Sequence, residues 1–167
     1  MKRVDALLDV MEREHKLFEP ANPDQLARLE GLGMPSDLVH FYSKANGAML
    51  QRTETGHFQY EGAFWNWFLL PAEEIQSVLE SGWSQPDSSL RPKHARWFQL
   101  IDVQNSDYLC IDLSNGSEAQ FLDTFHETLN NRGHNKIIAK SFTELLEQLT
   151  ASDEAFWLNA KSGYGYV

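Results

Sequence analysis

Cysteine is almost missing from this chain: Cys110 stands alone among 167 residues. That excludes an internal disulfide and any metal cluster built from thiolates only. Long apolar runs are missing too. No stretch approaches the ~20 residues of a membrane-spanning helix, and Met1-Lys2-Arg3-Val4-Asp5 turns acidic and amphipathic where a secretory signal would place its apolar region. The expected location is therefore the cytoplasm, with no membrane attachment. Positive charge is scarce as well. Fourteen Lys and Arg stand against 24 Asp and Glu, for a formal net charge of −10, with a pI near 4.9. Phosphate backbones reward clustered cations, so direct nucleic-acid binding is not expected, and a macromolecular partner is expected to be basic.

What is present is enough apolar material for a core: 42% of the residues are hydrophobic and 12% aromatic. The length fits one domain spanning 1–167. Val4, Leu7, Leu8, Met11 and Phe18 recur at helical spacing, with acidic residues on the other side, so 1–20 reads as an N-terminal helix. Asn22 before Pro23 is a helix N-cap, and a second helix buries Leu26 and Leu29. A third opens at Pro35, carries Leu38, Val39, Phe41 and Tyr42, and closes at Asn46-Gly47.

From His57 to Leu69 the chain alternates with period two, which predicts a strand or hairpin. Phe58, Tyr60, Phe64 and Phe68 share one parity; Glu61, Trp65 and Trp67 share the other. Residues 71–79 read as a short helix and 84–93 as a loop. Trp97–Val103 and Tyr108–Leu113 then form a hairpin across Gln104-Asn105-Ser106-Asp107. Pairing Val103 with Tyr108 sets Ile101 opposite Cys110 and Gln99 opposite Asp112, on a mixed, partly wet face. A third strand spans 119–125 and a short apolar piece 137–139. Ser141 and Glu144 form a capping box ahead of a helix that buries Phe142, Leu145, Leu146 and Leu149. Asp153 can cap a last short helix with Phe156 and Trp157, and 161–167 reads as a loose tail. Strands do not alternate with helices, so the fold class is α+β: N-terminal helices, a central antiparallel β-meander covered on one face by helices, and a C-terminal helix.

Reactive chemistry finds little purchase. His15, His40, His57, His94, His126 and His134 form no His-Glu-x-x-His pair; His126-Glu127 with His134 is the nearest approach to a metal cluster and sits in a polar loop. Cys110 lies mid-strand between apolar neighbours, as a buried inert thiol does. Phosphate-binding and dinucleotide-binding glycine patterns are missing, and Ser162 in the tail lacks the strand-to-helix elbow of a serine hydrolase. No catalytic residue, cofactor or metal is expected. The remaining candidate is a surface. Glu61, Trp65 and Trp67 share one face of the aromatic segment; Gln99, Tyr108 and Asp112 share one face of the hairpin, with Asp107 at its turn. Rings rimmed by carboxylates suit a partner-binding patch for a basic protein. The plainer alternative is that the rings pack beneath helices and the acids are merely solvated.

Three strings, in order, resemble the SMI1/KNR4 (SUKH) superfamily. Leu32-Gly33-Met34-Pro35-Ser36-Asp37-Leu38, followed by Phe41-Tyr42 and Ala45-Asn46-Gly47, is similar to its N-terminal signature. Tyr108-Leu109-Cys110-Ile111-Asp112-Leu113 resembles its central strand, and Ile138-Ala139-Lys140-Ser141-Phe142 through Leu146 the opening of its last helix. The resemblance implies an α+β fold without catalysis. For a bacterial chain it implies an immunity protein that neutralises a cognate toxin, often a nuclease or deaminase; fungal relatives imply a regulatory scaffold. It transfers no site residues. The expectation is thus a protein-binding domain, monomeric or weakly dimeric, that occludes a basic toxin; an intracellular interaction module or a small-molecule hydrolase are the alternatives.

Overall fold

Helix boundaries in this chain follow from where backbone groups find partners. The computed structural model describes residues 1–50, 66–86, 88–104, 106–116, 118–151 and 164–167. Helix α1 (Lys2–Glu14) buries Val4, Leu8 and Met11, and His15 leaves it in extended conformation to enter strand β1 (Lys16–Leu17). Helix α2 (Pro23–Leu32) starts at a reciprocal cap. The Asn22 side chain accepts the Gln25 N–H at 3.0 Å, and the Gln25 side chain accepts the Asn22 N–H at 2.7 Å. Helix α3 (Ser36–Tyr42) follows Pro35. The Ser141–Glu144 box opens α5 (Phe142–Ala151) as expected, with Ser141 Oγ accepting the Glu144 N–H at 3.1 Å; the Glu144 carboxylate accepts from Lys140 N, one residue upstream of the usual partner. Asp37 of α3 accepts both the backbone and hydroxyl protons of Thr143 at 2.9 Å, which ties α3 to the first turn of α5.

Gly47 does not close α3, which ends at Tyr42. Its φ of +92° serves a chain crossing: a Cβ there would sit 2.4 Å from the Leu69 carbonyl oxygen. Asn46 completes the junction by accepting the Ala72 N–H at 2.8 Å.

Strands β2 (Ala48–Leu50), β3 (Trp67–Leu69), β4 (Trp97–Asp102), β5 (Tyr108–Asp112), β6 (Gln120–Thr124) and β7 (Lys136–Ala139) join β1 in one seven-stranded antiparallel sheet, ordered as in the sequence. The helices cover one face. Phe41, Leu50, Trp67, Leu69, Leu100, Ile101, Leu109, Ile111, Phe121 and Phe142 belong to that main core. The fold is α+β with the expected meander. On the opposite face a second core of Val78, Trp97, Cys110, Leu122, Leu129 and Ile137 lies beneath irregular chain and a short helix, α4 (Arg91–His94), where a loop was expected.

Several expectations are corrected by hydrogen bonding. Residues 71–79 are not helical: Ser77 bridges Phe98, the Val78 N–H donates to Trp97 O at 2.8 Å, and Gln99 N–H donates to Gln76 O at 3.0 Å. The first half of β4 otherwise exposes a bare edge, and unpaired strand groups outweigh a weak helical pattern. Arg28 fixes the segment by donating to the Ala72 and Ile75 carbonyls, each at 2.5 Å. The hairpin register is Asp102↔Tyr108 and Ile101↔Leu109, then, past an irregularity between Gln99 and Ile101, Gln99↔Cys110 and Trp97↔Asp112. The extra residue turns Ile101 into the main core, away from Cys110. The end of the tail is not loose: Ile137 N–H donates to Gly165 O at 3.0 Å and Val167 N–H to Asn135 O at 2.9 Å, which covers the β7 edge. Residues 57–65 of the aromatic segment and the helix expected around Phe156 and Trp157 lie outside the described residues.

At the β4–β5 turn end of the sheet, carboxylates gather. Asp107 accepts from the His126 N–H at 2.8 Å and lies 2.7 Å from its ring Nδ1. Asp123 sits opposite Leu109 and Lys136. Burial first, then the charge of Asp107, push its carboxyl up to about 6, with Lys136 opposing.

Two outcomes follow from this architecture. Gly47→Ala is expected to cost about 3 kcal/mol in urea unfolding, from the positive φ together with the backbone clash; an unchanged midpoint would show that the crossing can relax. Asp123 binds its proton more tightly folded than unfolded, so its contribution to stability is fullest below about pH 4 and is lost as pH rises towards 6. Asp123→Asn is therefore expected to be more stable than the parent at pH 7, by on the order of 1–2 kcal/mol, with the difference vanishing near pH 4. Chemical denaturation across that range reads it.

Candidate functional site

Period-two alternation and the strand register set a row of side chains on the sheet face away from the helices. Met49 pairs with Phe68, Phe68 with Asp102, and Asp102 with Tyr108. The neighbouring pairs, Leu50–Trp67 and Leu69–Ile101, point the other way, into the main core. All four members of the row are half-buried, and Met49 and Phe68 pack into neither core.

Trp83 extends the row. Its ring meets Tyr108 edge-on, with centroids 5.1 Å apart and planes at 75°. The indole N–H donates to Ser106 O at 3.1 Å, and the backbone N–H to Ser81 Oγ at 3.2 Å, so both the ring and the main chain of Trp83 are tied. The turn that presents Ser106 is itself tight, with Gln104 at φ +70° and Ser106 at φ +71°. Asp102 supports it by accepting the Gln104 N–H at 2.7 Å. Glu74, exposed on the turn after Pro71, acts on Tyr108 only through its charge. Burial first, then the charges of Asp102, Cys110 and Glu74, raise the Tyr108 hydroxyl above the usual phenol range. The result is two fixed aromatic rings with negative charge beside them.

The residues singled out by sequence are distributed differently. Tyr108 is the one that stands in this row. Trp67 is 5% exposed, Gln99 3%, Asp107 6% and Asp112 1%, so these side chains lie below the surface. Glu61 and Trp65 lie outside the described residues. For Trp67 the cause is parity: β3 pairs so that Trp67 and Leu69 face the helices and Phe68 faces out. For Gln99 and Asp112 it is the second core, which covers the face read as wet. Sequence reasoning missed Trp83, Glu74, Phe68 and Asp102. Trp83 carries no periodic signal, since it sits in irregular chain; Asp102 lies within the expected strand, but its facing depends on the irregularity before it.

Asp112 occupies a different place. It is flanked across the strands by Trp97 and Gln120 at the far end of the sheet. One carboxylate oxygen accepts the Ser114 N–H at 2.7 Å; the other, like the Trp97 indole nitrogen and Gln120 Oε1, is buried without a hydrogen-bond partner. Burial pushes the Cys110 thiol up to about 12, against the nearby Thr124 hydroxyl, so it carries no thiolate at neutral pH. Among the described residues no group of three or more His, Cys, Asp or Glu is placed to hold a metal ion, and no helix is long and apolar enough to cross a membrane.

Among the described residues this geometry is a surface of fixed rings with carboxylates beside them. Comparison with known proteins supplies the family. The SMI1/KNR4 family (SUKH-1) matches residues 20–148, from just before the Asn22 cap into α5. A curated relative, the immunity protein YokJ of Bacillus subtilis (strain 168), is 23% identical over 134 residues, covering 78% of this chain and 73% of that protein. The matched span takes in β2 through β7 and all three strings that resembled the family, and on that ground the chain belongs to the SMI1/KNR4 family (SUKH-1).

Proposed function

We propose that this protein is an immunity protein that neutralises a cognate toxin by binding it, with no catalysis of its own. The observation that carries the reading is family membership together with a relative that is itself named an immunity protein. The charge supports a finer version. A net charge of −10 suits a basic toxin, such as a nuclease or deaminase whose substrate groove attracts phosphate, and binding would occlude that groove. The place of action is the cytoplasm, and the binding unit is a monomer or weak dimer.

Opposite net charges act mainly on encounter, while desolvated contacts act on release. Mixed at equimolar ratio with the toxin domain encoded beside its gene, the protein is expected to abolish toxin activity and to co-elute with it. Association is expected to slow at least tenfold between about 0.05 and 0.5 M salt, with dissociation nearly unchanged, because the Debye length shrinks from roughly 14 to 4 Å. A toxin left fully active by excess protein refutes the immunity reading. Neutralisation without salt dependence refutes the basic partner and leaves immunity standing.

A further inference from the structure

Several of the described carboxylates near α1, α3 and the β5–β6 end are already engaged: Glu147 by Arg3, Asp5 by His40, Asp107 by His126. Glu73 is occupied too, accepting from Gln25 Nε2 at 2.7 Å and Asn46 Nδ2 at 3.1 Å, the second of which does most to hold its carboxyl below the usual range. Asp102 and Glu74 differ. Among the described residues Asp102 accepts only from Gln104, from its backbone and its side-chain amide, Glu74 makes no side-chain hydrogen bond, and no Lys, Arg or His pairs with either. Both nevertheless act electrostatically on the same ring, Tyr108.

That ring and Trp83 form a corner, since their planes stand at 75° with centroids 5.1 Å apart. A cation in such a corner meets the negative face of one ring and the carboxylates beside it. The corner is built before any partner arrives: the Trp83 indole is fixed to Ser106 O, and the Tyr108 ring packs edge-on against it and against both cores, on a β5 backbone whose Tyr108 carbonyl accepts the Thr124 hydroxyl at 2.6 Å. Little side-chain freedom is left to lose on binding. Next along the row, Phe68 and Met49 supply half-buried apolar surface that could receive the methylenes of a long side chain.

We propose that the Trp83–Tyr108 corner, flanked by Asp102 and Glu74, receives a lysine or arginine side chain from a basic partner protein. This rests on the reading of the chain as a binder of a basic toxin, and it names the surface used. Nucleic acid does not fit, because its charge has the wrong sign. A second copy of this chain does not fit well either, with 14 basic residues against 24 acidic ones.

Two measurements separate this proposal from the function on which it rests. The first needs no toxin. The capped dipeptide acetyl-Arg-Arg-amide, titrated into the full chain, is expected to give saturable NMR shifts at the Trp83 indole N–H, the Tyr108 ring and the Met49 methyl. The neutral citrulline counterpart is expected to give none. Asp102→Asn, which keeps an acceptor for the Gln104 N–H, combined with Glu74→Gln should weaken the arginine response at least fivefold while the unfolding midpoint stays put. Shifts spread evenly over the acidic surface, no saturable shift at all, or an unaffected double variant would overturn the proposal, as would concentration-dependent self-association through these rings. The second uses the neighbouring toxin. The double variant, and separately Tyr108→Leu, are expected to raise the concentration needed for half-neutralisation tenfold or more, whereas Glu12→Gln on the exposed side of α1 leaves it unchanged. If wild-type protein neutralises and the variants match it, the surface is wrong and the function stands. If wild type neutralises nothing, the function fails, and the peptide titration still decides the surface.

Discussion

The backbone pairing of β3, three residues long, between β2 and β4 governs what this sheet shows to solvent. Side chains in a strand alternate, so one hydrogen-bonded register sends Trp67 and Leu69 into the helical core and leaves Phe68 outside. A slip of one residue would put two large apolar side chains in water and an intermediate one in the core. At roughly 25 cal/mol per Å² of apolar surface, exposing a Trp and a Leu costs several kcal/mol, a large part of what holds a domain of this size together. The register is thus set by burial, and the surface row is its consequence. The Asn46-Gly47 junction enforces the same choice from the β2 side, because only glycine passes the Leu69 carbonyl at that distance.

A sheet covered by helices on one face has to dispose of the other. Here the second core does so over β4, β5 and β6, using Val78, Leu129 and irregular chain in place of a helical layer. Irregular chain needs partners for its own polar groups, which explains the density of bonds between side chains and backbone there: Arg28 donates to two carbonyls, Ser77 Oγ accepts the Glu80 N–H, and Asn135 Nδ2 donates to Leu129 O. Among the described residues this second core does not include Met49 and Phe68, which are half-buried beside Asp102 and Tyr108. The aromatic corner stands at that boundary, where rings can be anchored on one side and wet on the other.

Strongly patterned, locally determined features were legible in the sequence. Helices α1, α2 and α5 follow from amphipathic spacing and from caps at Asn22 and Ser141, and β4, β5 and β6 from alternation. Features set by distant chain were not. Whether 71–79 coils or lies along β4 depends on hydrogen bonds from an edge 20 residues away and on Arg28. The tail acquires its order only from β7. The candidate site fails to read out for the same reason. Acid and aromatic content suggest a ring-and-carboxylate surface, and Tyr108 lies in the half-buried row, but Trp67, Gln99 and Asp112 are assigned outward by parity alone. The β3 register turns Trp67 into the helical core, the second core covers Gln99 and Asp112, and Trp83, from chain without periodicity, stands against Tyr108 instead.

A binding protein of this kind has to reconcile speed with selectivity. Net negative charge spread over the surface draws in any cation, and screened long-range attraction discriminates poorly. Discrimination requires contacts whose geometry is fixed in advance, so that a wrong partner leaves a desolvated carboxylate unpaired. Scattered solvated acids such as Asp9 or Glu12 on α1 cannot do this, because water replaces a poor partner at no cost. Asp102 differs in being half-buried, braced by the turn it stabilises and set against a ring that another ring holds still. Withdrawing water from that carboxylate without supplying a cation is unfavourable, and supplying one is favourable in proportion to how little has to move. On the proposed reading, the same rigidity that came from burying Trp67 and Leu69 beneath the strand would give the outer face its capacity to choose.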